Sequence, residues 1–294
     1  MRIFLTGSTG FIGSKIVPEL INTGHQVLGL TRSDAGARAL LEAGAAVHRG
    51  DIEDLDSLRS GAQECDGAIH TAFDHNFQHF VANCEKDRRV ILALGDALEG
   101  SDRPLVITSA TPMGTAVPGQ PATEDYFSPE HPNPRKASEL AGRELFQRGI
   151  NVSVVRLSQI HDAEKQGLVT EMIALACAKG VSAYVGEGLN PWSAAHVSDA
   201  ARLYRLALEK REAGARYHAT AEKSIEFRLI AKVIGDRLGV PVVSVSQDDM
   251  VGHFGWLSAF ADKDMSATST KTRECLQWHP TGPGLLASLE QIKG

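Results

Sequence analysis

Residues 6–13 read TGSTGFIG and follow directly on the short apolar run RIFLT at residues 2–6. Gly7, Gly10 and Gly13 recur at every third position, between this strand-like run and a segment with helical periodicity. A tight strand-to-helix turn needs a residue that tolerates positive φ, and a phosphate approaches a backbone closely only where no side chain intervenes. The amide groups and dipole of the following helix attract that phosphate. The stretch therefore predicts a dinucleotide-binding loop at the first strand of a βαβ unit.

The first half of the chain alternates apolar runs with amphipathic segments. Strands are predicted at 2–6, 26–30, 45–48, 67–71, 104–108 and 151–157, and helices at 11–22, 34–43, 76–99 and 134–148, with another after Asp54. Apolar runs without polar alternation indicate strands buried on both faces, and the intervening helices imply parallel pairing with right-handed crossovers. The sequence predicts an α/β fold, with residues 1–160 forming a Rossmann-type doubly wound parallel sheet. The pattern loosens afterwards, so we expect 161–294 to form a smaller C-terminal α/β substrate lobe with segments returning to the sheet.

Composition excludes several classes of protein. Of the 294 residues, 43% are hydrophobic and 22% charged, which is typical of a globular protein, and no run of 18 apolar residues predicts a membrane span. The net charge of −6, without a basic run, argues against nucleic acid as a partner. Four scattered cysteines with no CxxC pair predict neither disulfides nor a zinc site. Because the N-terminus also lacks a signal-peptide pattern, we expect a cytoplasmic protein.

Several motifs resemble the extended short-chain dehydrogenase/reductases, the NAD-dependent epimerase/dehydratase family. They are the TGxxGxxG loop, the pair Asp51-Ile52, SATPMG at 109–114, VVRLSQI at 154–160 and HVSDAARLYRLALE at 196–209. The resemblance covers most of the chain. It implies a bound nicotinamide cofactor, a small-molecule substrate in the cleft between two lobes, and a homodimer through the long helices.

The resemblance also implies which residues contact the cofactor. The expected contacts are Gly7, Thr9, Gly10, Phe11, Ile12 and Gly13 in the loop, Asp51 and Ile52 at the adenine, Thr71, Ala72 and Phe73 at the ribose and phosphates, and Leu157.

The end of the second strand bears on the choice of cofactor. NAD sites usually place an acid there, whereas this chain has Thr31, Arg32 and Ser33. A guanidinium and a hydroxyl suit a 2′-phosphate, so we favour NADP(H) with NAD(H) as the alternative. Arg32 stacking on adenine or pointing into solvent is the competing interpretation.

The catalytic Tyr and Lys usual in this family are absent. Ser109 matches the family's serine, but the segment that normally carries YxxxK reads HPNPR, which places His131 and Arg135 in an HxxxR pair. A histidine is a plausible acid or base at neutral pH, and an arginine supports the cofactor without relaying a proton. We expect Asn133 to cap the following helix and Pro134 to begin it. Tyr126 is the fallback proton donor, and Lys136 is a second candidate for the ribose contact.

Three histidines after the fourth predicted strand suggest a metal site. His75 and His79 are four residues apart and His70 lies nearby, but no acidic third ligand or HExxH motif accompanies them. We therefore expect no metal, and histidines on the surface or lining a pocket.

The sequence thus favours an NADP(H)-dependent oxidoreductase of the carbonyl reductase or alcohol dehydrogenase type, acting on a small carbonyl or alcohol. In this hypothesis Ser109 orients the carbonyl, His131 donates the proton and Arg135 supports the cofactor. A sugar-nucleotide epimerase or dehydratase with bound NAD is one alternative. A catalytically silent NADP-sensing binding protein is another.

Overall fold

A seven-stranded, wholly parallel sheet organises the first part of the chain. The computed structural model describes residues 1–292. The strands of this sheet are β1 Arg2–Thr6, β2 Gln26–Thr31, β3 Ala46–Arg49, β4 Gly67–His70, β5 Leu105–Ala110, β6 Val152–Leu157 and β10 Arg216–Ala219. Their spatial order is β10-β6-β5-β4-β1-β2-β3, so the direction in which successive strands are added to the sheet reverses between β1 and β4, although all strands run parallel. Ligands of such sheets bind outside the carboxyl ends of the strands at this reversal.

Two smaller sheets lie later in the chain. A three-stranded sheet, ordered β11-β9-β7, consists of β7 Gln159–His161, β9 Pro191–His196 and β11 Glu222–Glu226. A parallel pair joins β8 Ser182–Val185 to β12 Val242–Val245. The strand β10, from the C-terminal part of the chain, pairs with β6 at the edge of the large sheet. The division at residue 160 stays a prediction.

The helices cover both faces of the large sheet. They are α1 Gly13–Asn22, α2 Asp34–Glu42, α3 Leu55–Gln63, α4 Phe80–Leu98, α5 Lys136–Gln147, α6 Leu168–Lys179, α7 Val197–Lys210, α8 Phe227–Leu238, α9 Met250–Phe254, α10 Ser258–Ala261, α11 Thr270–Leu276 and α12 Leu285–Leu289. One core cluster packs α1 and α7 on the sheet, and a second packs α3, α4 and α5 on its other side. The predicted Rossmann-type fold is confirmed.

One local detail differs from the predicted helices. Helical periodicity over residues 134–148 would turn Phe146 inward with Leu145, but Phe146 is 49% exposed at the end of α5. The sequence also places Pro18 inside a helix, and α1 does include it. Among residues 1–292, no helix combines the length and apolar character that crossing a membrane requires.

Candidate cofactor-binding and active site

The glycine loop has the geometry of a phosphate cradle. Gly7 has a φ of 67°, and a Cβ there would lie 2.7 Å from the backbone nitrogen of Ala72. A Cβ on Gly13 would lie only 2.0 Å from the carbonyl oxygen of Gly7, and one on Gly10 would lie 3.1 Å from that oxygen. Gly7 and Gly13 therefore exclude side chains and Gly10 leaves little room for one, because backbone packs against backbone, as a loop that wraps a diphosphate requires.

The start of α1 leaves amide donors available. The N-cap residue Ile12 provides no side-chain hydrogen bond to the helix. Within the described residues, no hydrogen bond uses the backbone N–H of Phe11 or Ile12, whereas the N–H of Gly10 donates to the Gly7 carbonyl at 2.9 Å. Unpaired amides at a helix N-terminus attract anions, so the residues present fit the diphosphate of a dinucleotide. Thr9 is exposed at the rim of the same turn.

The end of β2 presents a mixed charge pattern. Arg32 has an 81% exposed side chain whose Nη1 lies 3.4 Å from Oδ2 of Asp51. Ser33 accepts a hydrogen bond from the Gly36 N–H and so caps α2, while its hydroxyl hydrogen stays available. The carboxylate of Asp34 is turned toward Arg49 at 2.5 Å. A basic and a hydroxyl group thus stand where NAD sites usually carry an acid, with Asp51 close by.

The segment after β4 lies next to the glycine loop. The Thr71 hydroxyl donates to the Thr6 carbonyl at 2.8 Å, which ties this segment to the end of β1. Ile52, Ala72 and Phe73 line one cavity together. These expected cofactor contacts, drawn from two separate segments, therefore converge at one place in the fold. Leu157 is partly exposed at the carboxyl end of β6.

Ser109 carries a buried hydroxyl without a partner. It lies near the carboxyl end of β5, its residue is 2% exposed, and its Oγ makes no hydrogen bond among the described residues. Its neighbour Thr108, by contrast, donates to the His70 carbonyl at 2.6 Å and pairs with the Tyr204 hydroxyl at 2.6 Å. An unpaired buried hydroxyl costs free energy in the folded protein, which distinguishes Ser109 from its paired neighbour Thr108.

Arg135 is buried in a polar network. Its Nη1 donates to Oδ2 of Asp87 at 2.6 Å and to the Ser138 hydroxyl at 2.7 Å, while its Nη2 donates to the Thr108 carbonyl at 3.0 Å. The guanidinium carbon lies 4.1 Å from the centre of the Phe73 ring, a cation–π contact. Arg135 thus joins the candidate cofactor segment at Phe73 to the strand that carries the unpaired serine.

The same network continues to the glycine loop through His70 and Asp87. His70, expected on the surface or lining a pocket, is 1% exposed and lines the same cavity as Ile52, Ala72 and Phe73. Its Nε2 pairs with Oδ1 of Asp87 at 3.0 Å, and its Nδ1 pairs with the Thr6 hydroxyl at 2.7 Å. The sequence interpretation missed Asp87, which lies inside a helical pattern. Asp87 follows Asn83 by one helical turn on the buried face of α4, and this spacing of two polar residues was the sequence signal that could have identified it.

Burial alone would raise the pKa of Asp87. Arg135, His70 and Ser138 outweigh it and lower the pKa of this carboxyl to about 2. The carboxylate is therefore charged at neutral pH, and it compensates the buried guanidinium.

His131 lies just before α5 with its ring close to backbone groups. The N–H of Asn133 donates to its Nδ1 at 3.1 Å. Burial lowers the pKa of His131 below its usual value, although a hydrogen bond to the Pro112 carbonyl opposes this shift. The predicted helix start was wrong by two residues. Asn133 accepts from the Arg135 N–H in a turn, and the helix begins at Lys136 with Arg135 at the N-cap.

A second buried ion pair holds the long segment that precedes α5. Arg156 and Glu139 are both fully buried and joined by two hydrogen bonds, at 2.6 and 2.8 Å. Arg156 also donates to the carbonyls of Thr123 and Tyr126 at 3.0 and 2.8 Å. The backbone of Tyr126, the fallback proton donor, is thereby fixed while its residue is 36% exposed. Sequence reasoning missed this anchor, although Arg156 lies within the VVRLSQI motif.

Metal ligation has no support in the geometry. Residues 1–292 contain no group of three His, Cys, Asp or Glu side chains arranged to hold an ion. His75 instead packs edge-on against Phe73 at 5.3 Å and lies near Phe77.

Several known proteins are similar in sequence to this chain over most of its length. The chain is 44% identical over 290 residues to an uncharacterized protein of Schizosaccharomyces pombe, covering 98% of each chain. It is 30% identical over 239 residues to the UDP-glucose 4-epimerase of Streptomyces lividans (71% of this chain, 72% of that one). It is 28% identical over 271 residues to a decarboxylating sterol-4-alpha-carboxylate 3-dehydrogenase of Dictyostelium discoideum (85% and 79%).

Solved structures agree on the fold. The crystal structure of DesIV, a dTDP-glucose 4,6-dehydratase of Streptomyces venezuelae with NAD bound, matches with a TM-score of 0.76 and 22% identity, covering 99% of this chain and 96% of that one. The sequence model of the NAD dependent epimerase/dehydratase family matches residues 3–220. The chain belongs to the NAD-dependent epimerase/dehydratase family, whose members are nicotinamide-dependent enzymes.

Proposed function

We propose that the protein is an NADP(H)-dependent reductase of small carbonyl compounds, working in the reverse direction as an alcohol dehydrogenase. The observation that carries this proposal is the buried, unpaired hydroxyl of Ser109 beside the cofactor crevice. A hydroxyl at hydrogen-bond distance from a substrate oxygen polarises the carbonyl and gains the partner that it lacks in the protein. The sterol dehydrogenase relative also acts, by its name, as a dehydrogenase.

The cofactor is proposed to be held by the glycine loop, with the 2′-phosphate at Arg32 and Ser33. The exposed guanidinium is free to leave Asp51, because a single exposed contact at 3.4 Å is weak. When bound, the reduced nicotinamide supplies the hydride that reaches the carbonyl carbon.

The chain supplies the hydrogen bond and the proton. Ser109 donates to the carbonyl oxygen, and His131 delivers to that oxygen the proton that completes the alcohol. His131 would have to release the Pro112 carbonyl to do so, and as the imidazolium it would also lose the bond from the Asn133 N–H, because a protonated Nδ1 cannot accept. Arg135 supports the site as a positioning residue, since it fixes both Phe73 and the end of β5.

Turnover tests the proposal directly. Purified protein should oxidise NADPH in the presence of aldehydes or ketones, followed by absorbance at 340 nm. His131→Ala should lose most of this rate while NADPH affinity stays the same, whereas Tyr126→Phe should keep both. A normal rate in His131→Ala removes His131 from the mechanism, and a lost rate in Tyr126→Phe assigns the proton to the tyrosine.

The lowered pKa of His131 sets the pH profile. If the imidazolium is the acid, the reduction rate falls as pH rises through the pKa of His131, which lies below its usual value of about 6.5. The descending limb should therefore lie on the acidic side of pH 6.5 and vanish in His131→Ala. A rate independent of pH from 5 to 7 contradicts this role.

A second candidate is a protein that binds NADP(H) without turning over substrate. It is favoured because Arg135 is committed to Asp87, Ser138 and Thr108, and because His131 contacts backbone groups. Specific NADPH binding without oxidation across a broad panel of carbonyl compounds supports this candidate over the reductase.

A further inference from the structure

Six partly exposed aromatic residues lie across the mouth of the candidate site. We call this group the aromatic cluster. Its members are Phe73, His75, Phe77 and Phe80 from the segment after β4, and Trp256 and Phe260 from the segment that contains α9 and α10. Phe77 and Trp256 stack with ring centres 4.8 Å apart and planes at 15°. Phe77 also lies 5.5 Å from Phe80 and 6.3 Å from Phe260.

The aromatic cluster begins inside the candidate active site. Phe73 comes three residues after the last residue of β4, and its ring lies against the guanidinium of Arg135. It faces Phe80 at 6.2 Å, and Phe80 in turn lies beside Phe77. The rings therefore form a continuous path from Arg135 to Trp256. Because β4 ends beside β1 and β5, this path leads outward from the edge of the sheet where Ser109 lies.

The outer part of the aromatic cluster is left uncovered by folding. Trp256 is 45% exposed, whereas the other two tryptophans, Trp192 and Trp278, are 0% exposed. Two further apolar residues from the same segments are exposed: Val81, which follows Phe80, at 63%, and Val251, in α9, at 64%. A grouped set of large exposed apolar side chains is typical of a binding surface rather than of an ordinary surface.

The segment that carries Trp256 and Phe260 is acidic, whereas Arg135 lies against Phe73 and Lys165 acts on His75 at the inner end of the cluster. Residues 246–264 contain Asp248, Asp249, Asp262 and Asp264 but one basic residue, Lys263. Lys263 lies 2.9 Å from Asp262, so its charge is already compensated. A nucleotide sugar brings two phosphate charges that this segment would repel, while a neutral ring system meets no such penalty.

We propose that the aromatic cluster is the substrate-recognition wall and that the substrate is a flat, uncharged aryl ketone or aldehyde rather than a nucleotide sugar. This inference rests on the proposed reductase function. A planar ring packs against Trp256 and Phe77 by stacking, and its carbonyl points inward to Ser109. Such a ligand covers the apolar area that the chain leaves exposed.

Binding to the oxidised complex tests this inference separately from catalysis. Protein saturated with NADP⁺ cannot reduce a ketone, so calorimetric titration with 2-acetylnaphthalene measures recognition alone. The expected result is saturable binding that weakens at least tenfold in Trp256→Ala and in Phe77→Leu. Phe146→Leu, which changes an exposed aromatic residue at the far end of α5, should bind as the native protein does, and UDP-glucose should not compete.

Each other outcome has a defined meaning. Unchanged affinity in Trp256→Ala and Phe77→Leu, no binding of the ketone, or tighter binding of UDP-glucose overturns the inference. A dimer that dissociates in Trp256→Ala, seen by sedimentation, also overturns it, because a second copy then covers the aromatic cluster. Ketone binding without any NADPH oxidation refutes the proposed reductase function instead. It does not contradict the inference that the aromatic cluster recognises a planar ligand.

Discussion

Replacing Ser109 by alanine should move stability and activity in opposite directions. The hydroxyl of Ser109 is buried and has no hydrogen-bond partner within residues 1–292, so the folded protein bears its desolvation cost without compensation. Removing an unpaired buried hydroxyl is expected to raise the free energy of unfolding by about 1 kcal/mol. For a chain of 294 residues that corresponds to a rise in Tm of roughly 1–2 °C.

The same substitution should be costly for catalysis. If the hydroxyl is reserved for the substrate oxygen, its loss removes a donor aimed at developing negative charge, which typically lowers kcat roughly 100-fold or more. The assay is NADPH oxidation with the best carbonyl substrate, together with thermal unfolding of the same preparations. Cofactor affinity should not change.

Thr108→Val is the matched control for this substitution. It removes a neighbouring hydroxyl of similar burial that bonds both the His70 carbonyl and Tyr204. Leaving those two groups unpaired should lower stability by about 1–3 kcal/mol. The reasoning is refuted if Ser109→Ala destabilises the protein as Thr108→Val does, or if it keeps the native kcat.

Three further predictions concern the cofactor and the buried network. Arg32→Ala should raise KM for NADPH about tenfold or more, because a charge-assisted hydrogen bond to the 2′-phosphate is lost. KM for NADH should stay unchanged. Equal effects on both cofactors contradict the 2′-phosphate assignment. Gly13→Ala should abolish cofactor binding, since its Cβ would lie 2.0 Å from the Gly7 carbonyl, and retained affinity by fluorescence titration contradicts the cradle. The pKa of Asp87, lowered to about 2, contributes about 2 kcal/mol of stability that is complete above pH 4 and lost as pH falls toward 2. The pH dependence of unfolding below pH 4 should therefore change in Asp87→Asn. The substitution also leaves the Arg135 charge buried without a counter-ion, which should lower the free energy of unfolding by about 3–5 kcal/mol at pH 7. An unfolding curve like that of the native protein is the contrary result.

The fold was predictable because its signals are local. The glycine spacing at residues 6–13 and the apolar runs that became β1 to β6 depend on neighbouring residues, and strand ends differ from the predictions by one or two positions. The convergence of Ile52, Ala72 and Phe73 on one cavity was also accessible, because each follows a strand of the same parallel sheet.

The buried network was not predictable because its pairs are distant in sequence. Asp87 lies 48 residues before Arg135, and His70 lies 64 residues after Thr6. A histidine within a strand and an aspartate within a helix carry no mark of pairing until the chain is folded. The helix α5 starts two residues later than predicted, although the Asn133 side chain accepts from the Arg135 N–H as a capping residue does.

The central claim is that the first glycine turn binds a pyridine nucleotide, and a direct titration tests it best. NADPH added to the purified protein should show enhanced nicotinamide fluorescence that saturates at one molecule per chain. No saturable signal with either NADPH or NADH up to millimolar concentration would contradict the account as a whole.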